Sequence, residues 1–270
     1  NVPIAGGMSF KDALTANPAT TLLAPSAFAR LGLVTQGVPE ERIAVVPRGI
    51  DPGFFRPPSE SERDNLRERF GWSDEFVFLN VSAMTDNKGI DRLIRAFAAV
   101  VAHYPQARLV LKGVDSIYRS KDRFTGIMRQ LSPEMAAMVE PRITYIGGNY
   151  KLVDMTRLYQ CADVLVAPYL SEAFCSPALE AAACGLPSIC TQGGPTEETT
   201  SDEFSLRIAA QWDPQSRILS PDENHLAQNM AFIVTNPAWR ERASIVAADF
   251  ASRRFTWDQA AERLLQVIGV

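Results

Sequence analysis

The sequence predicts an α/β fold, a doubly wound, Rossmann-like parallel sheet with helices on both faces. Three observations predict it. Short apolar runs alternate with segments of helical periodicity along most of the chain, as in repeated βαβ units. Those runs are continuous rather than alternating, as in strands buried on both faces. Of the 270 residues, 46% are apolar, ample for one large domain or two small ones.

The elements follow in order. Residues 20–24, Thr20-Thr21-Leu22-Leu23-Ala24, read as a strand, with a helix over 26–35 and a second strand over 43–46. That strand ends at Pro47-Arg48-Gly49-Ile50-Asp51, and 52–58, rich in Pro, Gly and Phe, reads as a domain junction. A charged helix covers 59–70. Phe76-Val77-Phe78-Leu79-Asn80-Val81 is a buried strand. Apolar residues at 93, 94, 97, 98, 100 and 101 make 91–101 an amphipathic helix. A strand at 107–111 precedes a helix over 123–138, broken near Ser132-Pro133. Then come a strand at 143–146, a helix at 152–161, a strand at 164–167, a helix from Ser176 and a strand at 188–190. Helices over 222–235, 238–252 and 257–268 close the chain.

Right-handed crossovers place the ligand edge at the carboxyl ends of the strands. The loops that matter are then 82–87, 113–118, 147–151, 168–175 and 191–198. No GxGxxG follows a strand and no GxxxxGK[ST] occurs, which disfavours nicotinamide, flavin and P-loop nucleotide enzymes.

The densest signal is Glu172-Ala173-Phe174-Cys175-Ser176-Pro177-Ala178-Leu179-Glu180. Ser176 is a good N-cap and Pro177 suits the first helical position. Gly185-Leu186-Pro187 stops the helix. The free amides around Phe174 to Ala178 then form a positive helix end suited to an anion such as a diphosphate. Glu180, one turn in, is a poor phosphate ligand and a good acceptor from sugar hydroxyls. The plainer reading is a capped core helix with solvated or dipole-neutralising acids.

Other classes recede. The net charge is −4 and Lys/Arg runs are absent, so nothing points to nucleic acid. No apolar stretch approaches a transmembrane span. Asn1 to Gly7 lacks Met and a signal pattern and reads as a boundary within a longer protein. Cys161, Cys175, Cys184 and Cys190 form no CxxC pair and read as buried thiols of a reducing compartment. A cytoplasmic location is expected, with peripheral membrane association open for a longer parent. His103 and His225 read as surface or structural, and no zinc or other metal ligand set is evident.

These residues resemble the retaining GT-B glycosyltransferases, in particular the family 4-like group, whose donor domain carries a Glu, seven residues and a second Glu. Here those are Glu172 and Glu180. Leu179-Glu180-Ala181-Ala182-Ala183-Cys184-Gly185-Leu186-Pro187 is similar to the family's LEAMACGxP run. Gly193-Gly194-Pro195-Thr196-Glu197 resembles GGxxE, and Pro47-Arg48-Gly49-Ile50-Asp51 resembles PNGVD. Lys88-Gly89-Ile90-Asp91 resembles KGxD, and Phe255-Thr256-Trp257 resembles FSW. The matches keep their order over about residues 20–270, and the resemblance implies a remnant of an N-terminal acceptor domain (1–47), an interdomain linker (48–58) and a nucleotide-sugar (donor) binding domain (59–270).

The resemblance implies roles. Lys88 is the diphosphate lysine, which stabilises the leaving group without a metal. Glu172 lies beside the donor sugar, accepting from its hydroxyls or stabilising oxocarbenium charge, so Lys88 and Glu172 are the expected catalytic pair. Glu180 holds the ribose. Phe174, Cys175, Ser176 and Gly147 complete the donor site, the base lying at Gly147-Gly148-Asn149-Tyr150, which holds no guanine or uracil signature. No Asp-x-Asp occurs, in keeping with a metal-independent site. No cofactor is expected beyond the donor, a UDP- or GDP-sugar, and the partners expected are that nucleotide sugar and an absent N-terminal acceptor domain. The implied function is transfer of a hexose to an unknown acceptor with retention. One departure stands out: Ala83 occupies the position where the family commonly has an arginine, and Arg48 and Arg92 are the candidates to replace it. The alternative is a non-catalytic nucleotide-sugar-binding or interaction module on the same fold. A phosphorylase would carry a pyridoxal phosphate lysine motif, for which there is no convincing match.

Overall fold

The computed structural model describes Leu14, Asn17 and residues 19–269 apart from 217. The expectation at Asn1 to Gly7 lies outside the described residues. Two parallel strands, β1 (Leu22–Ala24) and β2 (Ile43–Val45), pair with each other, and α1 (Ala27–Val34) lies between them in sequence. They enclose a small core of Leu14, Ala24, Val38 and Ile43, separate from the main one.

The main body is a six-stranded parallel sheet. Its strands are β3 (Phe76–Val81), β4 (Ala107–Lys112), β5 (Ile143–Ile146), β6 (Val164–Ala167), β7 (Ser188–Thr191) and β8 (Ser205–Ile208). Their spatial order is β5-β4-β3-β6-β7-β8. The chain winds outward from β3 in one direction, returns, and winds outward from β6 in the other. The order therefore reverses between β3 and β6, where open α/β sheets hold their ligands.

Both faces are covered. Val77 and Leu79 point to one side with Leu165 and Cys190, packing on α7 (Leu152–Cys161), α8 (Ser176–Ala183) and α11 (Pro237–Arg254). Phe76 and Phe78 point to the other with Val164, Val166 and Ile189, packing on α3 (Ile90–Val101) and α10 (Glu223–Thr235). This two-residue alternation explains why the strands read as unbroken apolar runs. Fully burying a side chain such as Phe78 or Leu79 contributes about 2 to 3 kcal/mol.

The structure adds to the expected elements at two places and corrects them at a third. First, β8 extends the sheet beyond β7, and an antiparallel hairpin follows, β9 (Ala210–Asp213) with β10 (Ile218–Pro221). Neither is evident from the sequence. Second, the helical stretch expected over 123–138 with a break near Ser132-Pro133 is present as α5 (Ser120–Arg129) and α6 (Pro133–Val139), and a short helix that was not expected, α4 (Asp115–Tyr118), precedes them. Arg119 adopts a left-handed conformation between α4 and α5, and the Ser132 side chain accepts the Met135 amide to start α6. Third, Ser176 is not an N-cap. The capping position is Cys175, left-handed at φ 65°, ψ 61°, and Ser176 already lies in the helix.

The chain enters the main body through Pro47 to Asp51. Ile50 forms an isolated parallel bridge with Thr256, just before α12 (Trp257–Ile268). The Ile50 amide donates to Phe255 O at 2.8 Å. A Cβ on Gly49 would overlap the backbone of Thr256 and Trp257, so only glycine permits this approach.

Candidate functional site

Lys88 and Glu172 stand in the loops that follow β3 and β6, on either side of the reversal in strand order. Their approach is built by the backbone. Gly89 is left-handed at φ 65°, and a Cβ there would fall on the Pro168 carbonyl. Without one, the two loops lie flat together. Leu170 N donates to Asn87 O at 2.7 Å, and Asn87 Nδ2 donates to Ser171 O at 2.8 Å. Thr85 Oγ1 donates to Asn87 Oδ1 at 2.7 Å. Lys88, between Asn87 and Gly89, is thereby delivered to Glu172, and the two form an ion pair with side chains 18% and 19% exposed. Both expected catalytic residues meet at one point.

The donor-loop residues divide. Phe174 and Cys175 are 3% and 7% exposed, with side chains in the core, so the backbone is what they offer a ligand. Burial pushes the Cys175 thiol well up, and it stays neutral. Ser176 accepts a hydrogen bond from Arg48 Nη1 at 3.2 Å. The same loop is braced from the N-terminal segment. Ser26, 1% exposed, donates from Oγ to Ala173 O at 2.7 Å and accepts the Ala29 amide at 2.9 Å. Glu198 accepts the Ala27 and Phe28 amides, each at 2.8 Å, closing the start of α1 with both carboxylate oxygens. Two orphan amides and the helix dipole are met at once. Glu197 instead accepts the amide of Gly193, at 2.6 Å.

One turn into α8, Glu180 accepts from the Tyr159 hydroxyl at 2.6 Å. Burial pushes the Glu180 carboxyl above the usual carboxylate range, while the Tyr159 hydrogen bond and the Arg48 charge pull it back. Among the described residues no donor bonds to the second carboxylate oxygen, which suits vicinal hydroxyls.

Gly147 follows the edge strand β5, two strand spacings from β3, or about 10 Å along the sheet edge. Asp115 packs against its Cα, filling the place a Cβ would take. Asp115 accepts from the Tyr145 hydroxyl at 2.5 Å and from Lys121 N at 2.8 Å. Lys112, 3% exposed, donates to Gly148 O at 2.8 Å beneath the Tyr150 ring. The loop expected to take a base is therefore held from below by a buried cation. Desolvation lowers the Lys112 pKa.

Sequence reasoning missed Tyr159, Ser26, Glu198 and Asp115, and left Arg48 as one candidate of two. Their partners lie far off in the chain, Ser26 from Ala173 by 147 positions, and no local spacing marks such pairs. His225 has a structural contact and His103 lies at the surface. His225 Nδ1 accepts the Ala209 amide at 2.9 Å, and His103 lies 3.1 Å from Ala99 O. Among the described residues, no group of three His, Cys, Asp or Glu is placed to hold a metal ion. None of the described helices is long and apolar enough to cross a membrane.

A doubly wound sheet with this paired site defines a class, and comparison with known proteins agrees. The family model described as "Glycosyl transferases group 1" matches residues 62–246, and the chain belongs to that family. It is 28% identical over 235 residues to the mannosylfructose-phosphate synthase of Agrobacterium fabrum, covering 86% of this chain and 48% of that protein. It is 30% identical over 237 residues to the D-inositol 3-phosphate glycosyltransferase of Xylanimonas cellulosilytica, covering 86% and 52%. The chain thus spans about half the length of the curated relatives it matches. Among solved structures, Anabaena HepE in complex with UDP and glucose superposes with TM-score 0.80 at 19% identity, over 100% of this chain and 70% of that one. The C-terminal domain of the group 1 protein LpcC from Francisella tularensis matches with TM-score 0.61 at 18% identity, over 77% and 99%. These likenesses show the GT-B type of α/β fold.

Proposed function

We propose that this chain supplies the donor site of a retaining glycosyltransferase that moves a hexose from a nucleoside-diphosphate sugar to an acceptor. The observation that carries the reading is the meeting of Lys88 and Glu172 across the strand-order reversal, beside the start of α8. Lys88 would turn from Glu172 to the diphosphate as the sugar–phosphate bond breaks, neutralising charge that grows on the leaving group. Glu172, freed of its partner, faces the developing positive charge on the sugar ring. Glu180, oriented by Tyr159, takes the ribose hydroxyls, and the nucleoside runs along the sheet edge toward Gly147. These parts are side chains and amides, with no metal ion among them. HepE binding UDP and glucose supports this donor class. By the same reading residues 1–47 belong with an acceptor-side domain, 48–58 with the linker and 59–270 with the donor domain.

The test is a thermal-shift panel of UDP, GDP, ADP and their sugars. Binding to the folded state alone stabilises by about 2.7 kcal/mol at a hundred-fold excess over Kd. The matching ligand is expected to raise the melting temperature, and E180Q to weaken that rise. If no ligand shifts the transition at millimolar concentration, the donor-site reading is wrong. Ala83 favours a second reading, a non-catalytic nucleotide-sugar module. It predicts the same binding with no transfer by the full-length parent.

A further inference from the structure

Arg48 is held as few linker residues are. Behind it, Gly49 lies against the backbone of Thr256 and Trp257, and Ile50 is bonded there on both sides, its amide to Phe255 O and its carbonyl to the Trp257 amide at 3.3 Å. Arg48 lines a cavity with Phe255, Thr256 and Gln259 beside α12, and its guanidinium reaches from there to α8. Nη1 reaches Ser176 Oγ, a hydroxyl in the first turn. The guanidinium is exposed. Among the described residues no carboxylate forms an ion pair with it.

This contrasts with Lys88, whose charge Glu172 already meets. Position 83, in the loop after β3, is an alanine whose carbonyl accepts from Ser120 Oγ at 2.9 Å. Arg92, the other candidate, lines a separate cavity of about 730 Å³ with Met84, Tyr118 and Arg123. Of the two candidates, Arg48 is the one that brings an unpaired cation to the start of α8. A diphosphate carries more charge than one shared lysine neutralises, and a planar guanidinium matches phosphate oxygens in a two-pronged fashion that an ammonium does not.

We infer that Arg48 is the second phosphate-binding cation of the donor site, supplied by the 47–51 run in place of the residue at position 83. This rests on the donor-site reading above. It differs from a role in which Arg48 merely steadies Ser176 and Glu180. A steadying residue would serve the ribose and hence the whole nucleoside, whereas a phosphate ligand serves the diphosphate alone.

The full chain is titrated calorimetrically with UDP, GDP and ADP and with the matching nucleosides, as wild type, R48Q and R48K. The expected result is a loss of about ten-fold in affinity for the bound nucleoside diphosphate in R48Q, with nucleoside affinity unchanged. R48K should fall between R48Q and wild type. An unchanged melting temperature without ligand, as an exposed side chain requires, confirms that R48Q is folded. Equal losses for nucleoside and diphosphate, or no loss for either, overturn the assignment. Binding of no nucleotide by the wild type overturns the donor site itself, and Arg48 with it.

Discussion

Gly89→Ala tests how Lys88 and Glu172 are brought together. Two effects add. The residue is left-handed at φ 65°, which costs an alanine about 1 kcal/mol. The new Cβ also overlaps the Pro168 carbonyl, so the loops must part. Parting them removes the Leu170 N to Asn87 O and Asn87 Nδ2 to Ser171 O bonds, each contributing about 1 kcal/mol. The total is about 3 kcal/mol, a substantial part of an ordinary domain's stability. Gly71→Ala is the control. Gly71 is equally left-handed, at φ 70°, but nothing lies within 4 Å of the place a Cβ would take, leaving the conformational cost of about 1 kcal/mol alone. Urea denaturation of both variants measures the difference, expected near ~2 kcal/mol from the two lost bonds, and nucleotide titration should show weakened binding for Gly89→Ala only. Equal destabilisation of the two would refute close loop contact as the means of delivering Lys88.

Three further outcomes are expected. Because burial raises the Glu180 pKa, the fold favours its protonated form. Stability from this group falls as pH rises from the ordinary glutamate value through the raised folded one. Ribose hydroxyls donate to the ionised form, so nucleotide affinity should rise over that same window, and E180Q, measured by titration across pH, should flatten the rise. Ser26→Ala removes a helix cap and the bond to Ala173 O, costing about 1 to 2 kcal/mol. Amide exchange should quicken at 173–176 while β3 and β6 stay protected. All four cysteines are buried, with burial pushing Cys161 up to about 12, so a thiol reagent should label the native chain slowly and the unfolded chain at once.

Much of this was legible in the sequence because it rests on local rules. Strands β3, β4 and β6 are largely apolar runs. Lys88, Glu172 and Glu180 lie in short motifs whose spacing survives folding. β8 escaped notice because Ser205-Leu206-Arg207-Ile208 is a half-polar edge strand. The hairpin β9–β10 escaped because its strands are short, half-polar and end in Asp213 and Pro221. Ser176 misled for a physical reason: Cys175 takes the left-handed turn that opens α8, placing Ser176 inside the helix, where its hydroxyl serves Arg48. Tyr159, Ser26 and Glu198 act through tertiary contacts that no window of sequence contains.

The bridge between Ile50 and Thr256 has a mechanical consequence. The chain passes this point twice, once entering the main body and once approaching α12, and the two passes are stitched together by backbone bonds. A single connecting strand can swivel as well as bend. Two strands bonded side by side act as a flat ribbon, which flexes readily about the line across it and resists torsion. Motion of the segment before Pro47 away from the Glu172 loop would pivot on this bonded pair and would also break the Ser26 bond to Ala173 O and the Glu198 bonds to Ala27 and Phe28.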